Sequence, residues 1–197
     1  ENTIGSQQQR SNTGLPTSSS NQKGLKQIAS IGCSILLLLA SCMKKKEGDY
    51  KFLEVPSAQS HVSFVNKLEH QEDFNIIDYL YYYNGGGVSI GDINNDGLFD
   101  IYFSSNEGSN KLYLNKGSFS FEDITESAGV ASLGKWKTGI NMADVNGDNM
   151  LDLYVCRVSG YEGLEGHNEL YLNNGDLTFT ESSVKYGLDF SGFSTQS

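Results

Sequence analysis

Basic residues and cysteines are scarce in this chain. Of 197 residues, 14 are Lys or Arg against 24 Asp or Glu, a net charge of −10. Binding a phosphate backbone needs a basic footprint, so nucleic acid is excluded as a partner. The three cysteines are Cys33, Cys42 and Cys156. The first two fall within or just after one apolar stretch, which leaves Cys156 by itself and excludes an intrachain disulfide framework. Cys156 reads as a small buried apolar residue on a strand. His61, His70 and His167 share no metal-ligand spacing, and no Ser-His-Asp arrangement can be recognised. Helical periodicity is weak beyond residue 42. The most apolar stretch, IASIGCSILLLLA over 28–40, is short of the roughly 20 residues that a spanning helix needs.

What is present divides the chain. Residues 1–22 are rich in Ser, Gln and Asn, a composition that cannot repay the entropy of ordering, and they read as a disordered or non-native leader. Lys23 and Lys26 then precede the apolar stretch, which closes on Leu39-Ala40-Ser41-Cys42. A basic n-region, an apolar h-region and small residues at its end describe a secretory signal over 23–41. Cysteine after Leu-Ala-Ser resembles the lipobox of bacterial lipoproteins, and the resemblance implies that Cys42 is lipidated and becomes the mature N-terminus. Residues 42–60 would be a tether, with the lysines of CMKKKEGDY beside lipid headgroups. Removing 1–41 takes away three bases and one acid, so the remainder is more acidic still.

An internal repeat organises the rest. GGVSIGDINNDGLFDIYFSS aligns with TGINMADVNGDNMLDLYVCR, and NKLYLNKGSFSFEDITESAGV with NELYLNNGDLTFTESSVKYGL. The offset is 52 residues at the first pair and 58 at the second, so six residues are inserted within SGYEGLEGHN, a change that belongs in a loop. Each unit reads as four short strands, with glycine-bearing hairpin turns between the third and fourth. Four strands in about fifty residues, repeated, predict an all-β fold of β-propeller blades, each a four-stranded antiparallel sheet. Blade one is expected at about 83–130 and blade two at about 136–188, within a propeller region over 61–197. FSTQS at the end matches the start of a third blade, with Thr195 and Gln196 near the places of Thr138 and Gly139. Two blades cannot close a ring, so the chain reads as the N-terminal piece of a longer propeller. VSFVN, residues 62–66, is a candidate strand for the last blade of the intact ring. The aromatic run Tyr79–Tyr83 leads into blade one; strand packing accounts for it, and a carbohydrate or peptide platform is the alternative.

The chemistry lies in GDINNDGLFD and ADVNGDNMLD. Carboxylates this close resist ionising together, so a cation accounts for the crowding. Calcium takes six to eight oxygens, from Asp, Asn and backbone carbonyls among others. Side-chain ligands at loop positions 1, 3, 5 and 9, with a carbonyl at 7, can wrap such an ion. In the first loop these are Asp92, Asn94, Asp96 and Asp100 with the Leu98 carbonyl; in the second, Asp144, Asn146, Asp148 and Asp152 with the Met150 carbonyl. Position 6 must turn sharply, where Gly97 fits better than Asn149, so the first loop is expected to bind more tightly. An EF-hand is excluded because Phe103 and Val155 stand at position 12 instead of glutamate, and because the flanks are strands. Magnesium prefers a tighter octahedron with retained waters. Polar turns that bind nothing are the competing account, and the repeated register speaks against them.

These loops resemble the FG-GAP, or VCBS-type, repeats of integrin α-chain propellers and of many bacterial surface proteins. The continuation LYLNxGxxxFxxxxxxxG, at Leu112 to Gly129 and Leu170 to Gly187, is similar to large exported propeller proteins that often end in an ASPIC/UnbV domain. The resemblance implies a propeller whose calcium loops brace each blade; Asn149 departs from the usual glycine. From it follows the expected function, a lipid-anchored, calcium-braced binding or adhesion module at the bacterial outer membrane or cell surface, with the periplasmic side as the other location. Its ligand would be a protein or a glycan, and the insertion Gly160 to Asn168 is a candidate contact. The competing readings are a propeller-containing polysaccharide hydrolase or lyase, whose catalytic groups would lie in other blades, and an accessory subunit of an outer-membrane uptake complex. No catalytic residue is assigned.

Overall fold

The computed structural model describes residues 52–70, 72 and 74–196. The leader, the apolar stretch, Cys42 and the lysines after it lie outside the described residues. A compact unit begins at Glu54, and after one helical turn, α1 (Ser57–Ser60), it is nearly all β. The first sheet consists of β1 (Val88–Gly91), β2 (Asp100–Phe103), β3 (Lys111–Asn115) and β4 (Phe121–Asp123), followed by the single turn α2 (Thr125–Ala128). The second repeats it with β5 (Lys137–Ala143), β6 (Asp152–Arg157), β7 (Glu169–Asn173), β8 (Phe179–Glu181) and α3 (Ser183–Tyr186). Each sheet is antiparallel with its strands in sequence order, as a propeller blade requires. The helical turns close on Gly129 and Gly187, both left-handed, at φ 75° and 67°. Each begins on a hydroxyl residue tied to the acid two places earlier. Thr125 donates both N–H and Oγ1 to Asp123, and Ser183 does the same to Glu181.

Strand alternation decides how the blades stack. On β2, Tyr102 pairs with Leu112 across the ladder, and both point into the principal core with Leu114. The residue of β6 at the place of Tyr102 is Tyr154, yet its neighbours Leu153 and Val155 enter that core, with Tyr171, Ile140 and Met142. One face of blade one therefore meets the opposite face of blade two. Leu112, Leu153 and Val155 are each completely buried, which stabilises the contact by about 1.5–3 kcal/mol per side chain. Gly91 permits the close approach of the innermost strands, since a Cβ there would lie 2.6 Å from Leu151 Cδ1 and 2.8 Å from Met142 Sδ. Cys156 is buried on β6.

Two stretches differ from the sequence expectation. Residues 62–66 form no strand; they run along the free face and upper loops of blade one. There Phe64 stacks on Phe103 at 4.8 Å, and the Ser63 amide donates to the Tyr113 hydroxyl. The tyrosine run is also not a strand. Residues 75–84 coil through consecutive turns, with bonds from the Tyr79 amide to Asn75 O and from the Asn84 amide to Tyr81 O, because a chain that leaves the sheet must bond its amides locally. Tyr79 and Tyr82 are buried with Phe74, Trp136, Val158 and Leu164 in a second core, while Tyr81 and Tyr83 face outward. Residues 193–196 make one bridge, Phe193 to Val158, and no strand. They lie against Gly139 as residues 138–140 lie against Gly87, which is the place of a next blade.

Candidate cation loops and their support

The two acidic loops join the first and second strands of each blade, at the end opposite the aromatic core. Their internal bonding is nearly identical. In the first, Asp92 accepts the amides of Asp96 and Gly97 at 3.1 and 2.8 Å, Asn94 Oδ1 lies 3.2 Å from the Asp96 amide, and Asp96 accepts the Leu98 amide at 2.8 Å. In the second, Asp144 accepts from Asp148 and Asn149 at 3.1 and 2.8 Å, Asn146 Oδ1 lies 2.9 Å from the Asp148 amide, and Asp148 accepts from Met150 at 2.8 Å. Positions 1 and 3 thus share the amide of position 5 in each loop, and the carboxylate of position 5 takes the amide of position 7. Asn94 and Asn146 also donate to Asp96 and Asp148, at 3.0 and 2.8 Å. Bonds from the Asn149 amide foremost, then from its neighbours, hold the Asp144 carboxyl below the usual carboxylate range.

Position 9 behaves differently. Asp100 and Asp152 are buried, and each carboxylate joins two backbone segments. Asp100 accepts the Ile93 amide at 3.0 Å and the Asn115 amide at 2.8 Å; Asp152 accepts those of Val145 and Asn173 at the same two distances. They tie the acidic loop to the third strand. Burial raises the Asp100 carboxyl above its ordinary range against those two amides, and the charges of Asp96 and Asp92 add to the rise. Among the described residues no three acidic, imidazole or thiol side chains form a group that could hold a metal ion; the side-chain oxygens along each loop belong to two aspartates and one asparagine. That donor set fits a hard cation, because it is oxygen only and each carboxylate oxygen keeps a second lone pair beside the amide it accepts. Leu98 and Met150 stand at position 7, where their amides bond back to position 5; their carbonyls are the ligands expected from sequence.

The turn geometry corrects one expectation. Positive φ occurs at positions 4 and 6 of both loops, at Asn95 (59°) and Gly97 (85°), and at Gly147 (82°) and Asn149 (66°). Each loop has one glycine and one asparagine in the left-handed region, in exchanged places, so the backbone gives no reason for the first to bind more tightly. The loops also touch: Asn95 Nδ2 donates to Asn149 O at 3.1 Å, and Asn173 Nδ2 to Ile93 O at 2.8 Å.

Several supporting residues escaped the sequence reading, although the repeat itself carries the signal. Tyr102 donates to Val130 O and accepts from Asn110; Tyr154 donates to Leu188 O and accepts from Asn168. Each asparagine also accepts a backbone amide, from Ser105 and from Arg157. Blade two adds a buried ion pair, Arg157 with Glu169, joined by Ser132 and Tyr171. Beside it Lys137 donates to the carbonyls of Gly108, Ser132 and Gly134. The insertion folds inward: Tyr161 and Leu164 pack into the aromatic core, and Tyr161 donates to Asp78 O.

Residues 92–155 match a family model described as an FG-GAP-like repeat. The chain is similar to cartilage acidic protein 1 of Xenopus tropicalis, 32% identical over 107 residues that make up 53% of this chain and 16% of that protein. It is also similar to cartilage acidic protein 1 of Homo sapiens, 34% identical over 111 residues, 54% of this chain and 16% of that protein. The chain thus spans about one sixth of the length of these curated relatives. The repeat resemblance is supported over the matched residues; the finer likeness to bacterial lipoproteins and to ASPIC/UnbV-containing proteins rests on the sequence motifs alone.

Proposed function

We propose that this chain is part of a calcium-braced β-propeller that serves as a binding or adhesion module, held on a bacterial outer membrane or cell surface by a lipid on Cys42. The observation that carries the proposal is a duplicated arrangement: Asp92 and Asn94 share the amide of Asp96, whose carboxylate takes the Leu98 amide, and Asp144, Asn146 and Asp148 repeat it with the Met150 amide. When bound, calcium would neutralise these carboxylates and cross-link the loop. Asp100 and Asp152 would anchor that loop to the third strand and supply the position-9 oxygens. The role is structural, and no catalytic chemistry is assigned. The Leu39-Ala40-Ser41-Cys42 motif supports the anchor; among the described residues no helix is long and apolar enough to cross a membrane.

The binding role is tested by immobilising the chain and probing it with glycan and peptide arrays in millimolar calcium and in chelator. Retention of a defined ligand class in calcium, weakened in chelator, is expected; an empty array in both conditions removes the reading. The anchor is tested separately in a bacterial host, where labelled fatty acid should enter the wild type and be absent from Cys42→Ala.

A further inference from the structure

At the end of the blades opposite the acidic loops, a cavity of about 500 Å³ opens beside the starts of the innermost strands β1 and β5. Its chemistry is unusual for so acidic a chain: no charged and no aliphatic side chain lines it. Four aromatic rings do, from Tyr79, Tyr81, Trp136 and Phe193, and its polar groups include Asn84 and Gln196. Tyr79 and Trp136 are 2% and 1% exposed at the base, whereas Tyr81 and Phe193, at 50% and 45%, stand open at the rim with ring centroids 6.0 Å apart. The carboxamides of Asn84 and Gln196 face solvent. The floor is fixed backbone. A Cβ on Gly86 would lie 2.0 Å from Ser104 O and one on Gly87 2.6 Å from Thr138 O, so both positions need glycine.

From this lining we infer that the cavity is a binding site for a neutral saccharide. The assignment rests on the binding-module reading and names the ligand class. A sugar ring presents apolar C–H faces and a rim of hydroxyls. Open aromatic faces suit the first, and carboxamides, which both donate and accept, suit the second. Anionic sugars are disfavoured by the net charge of −10 and by the lack of any cation in the lining. A quaternary ammonium is disfavoured because no carboxylate joins the rings in the lining.

Trp136 is the only tryptophan in the chain, so its emission reports on the cavity directly. The full chain is titrated in millimolar calcium with glucose, galactose, mannose, N-acetylglucosamine and their neutral oligomers, and with galacturonate oligomers as the charged comparison. A saturable change in Trp136 emission with at least one neutral sugar, and none with galacturonate, is expected. Tyr81→Ala and Asn84→Ala alter exposed side chains, so both should keep the wild-type melting temperature and bind about tenfold more weakly or worse. Ile77→Ala, outside the cavity, should bind as wild type. Saccharide affinity unchanged in both rim variants places the sugar elsewhere and overturns the assignment. Emission unmoved by every neutral sugar, while the chain still retains peptides, overturns it and leaves the binding-module reading standing. Emission unmoved, with neither glycan nor peptide retained on the arrays, removes both.

Discussion

Asp96 and Asp100 are four residues apart in one acidic loop, and they fail in different ways when removed. Asp100 is buried and holds the amides of Ile93 and Asn115. Asp100→Ala strips the buried Ile93 amide of its acceptor, at about 1–3 kcal/mol, and the half-buried Asn115 amide, at about 1 kcal/mol, so a loss of about 2–4 kcal/mol is expected in urea unfolding even in chelator. Asp96 is exposed, and water can take its carboxylate's place as acceptor of the Leu98 amide. Asp96→Ala should change stability by less than about 0.5 kcal/mol without calcium, and lose only the increment that calcium adds. A second pair makes the same point without charge. Tyr102→Phe strips a buried carbonyl and a buried carboxamide of their partner and should cost about 2–4 kcal/mol, whereas Tyr154→Phe, at a half-buried site, should cost less. Urea curves for the two variants check the order. The sequence puts these residues in register but does not say which are buried, because burial depends on whether a next blade covers the face.

Among the elements, strands were readable because alternation and turn residues recur in both units. VSIG, DIYF and KLYLN became β1, β2 and β3, and their counterparts β5, β6 and β7. The helical turns α2 and α3 were not read, since four residues are too few for a 3.6-residue period to register. Their signal was the glycine that closes each one. VSFVN alternates like a strand, but a strand needs a partner edge, and residues 62–66 instead lie across loops and side chains of blade one. In the acidic loops, position 6 was recognised as the turn and position 4 was not. Asn95 gives no compositional warning there in the first loop, where its bond is to the other blade, and the signal lies in its counterpart Gly147. Because glycine and asparagine exchange places, Gly97→Ala and Gly147→Ala should cost similar amounts, about 1 kcal/mol each, from forcing alanine into the left-handed region. Thermal melts of the two variants side by side test that symmetry. A penalty confined to Gly97→Ala would restore the single-turn reading.

Across the whole molecule, the head-to-tail stacking of faces explains why polar groups gather where the blades and their connections meet. Lys137 is fully buried and donates to three carbonyls, one from the loop of blade one and two from the connection between blades. Burial first, and then the Arg157 guanidinium, push its ammonium down to about 8, while Glu169 opposes the fall. The folded chain therefore binds fewer protons than the unfolded one between about pH 8 and the ordinary lysine value of 10.5. Stability relative to Lys137→Met should accordingly rise with pH across that window, and the tyrosines cancel because both proteins carry them. At pH 7 the variant should still be the less stable, by about 2–3 kcal/mol, because three carbonyls lose their donor. Denaturant titrations of both proteins at pH 7, 8 and 9.5 give the sign directly. None of this was visible in sequence, where Lys137 is one cation among 14 and its three acceptors are backbone atoms.

Calcium bracing at the two equivalent loops is the central proposal for this chain. Extracellular calcium modules commonly bind at about 10⁻⁴ to 10⁻³ M, a range that calorimetric titration of the chelator-treated chain can reach. The wild type should show two sites of similar affinity. Asp96→Ala should keep only the site at Asp144, Asn146 and Asp148, and Asp148→Ala only the site at Asp92, Asn94 and Asp96. No calcium-dependent heat in the wild type, or two unchanged sites in both variants, would contradict the account.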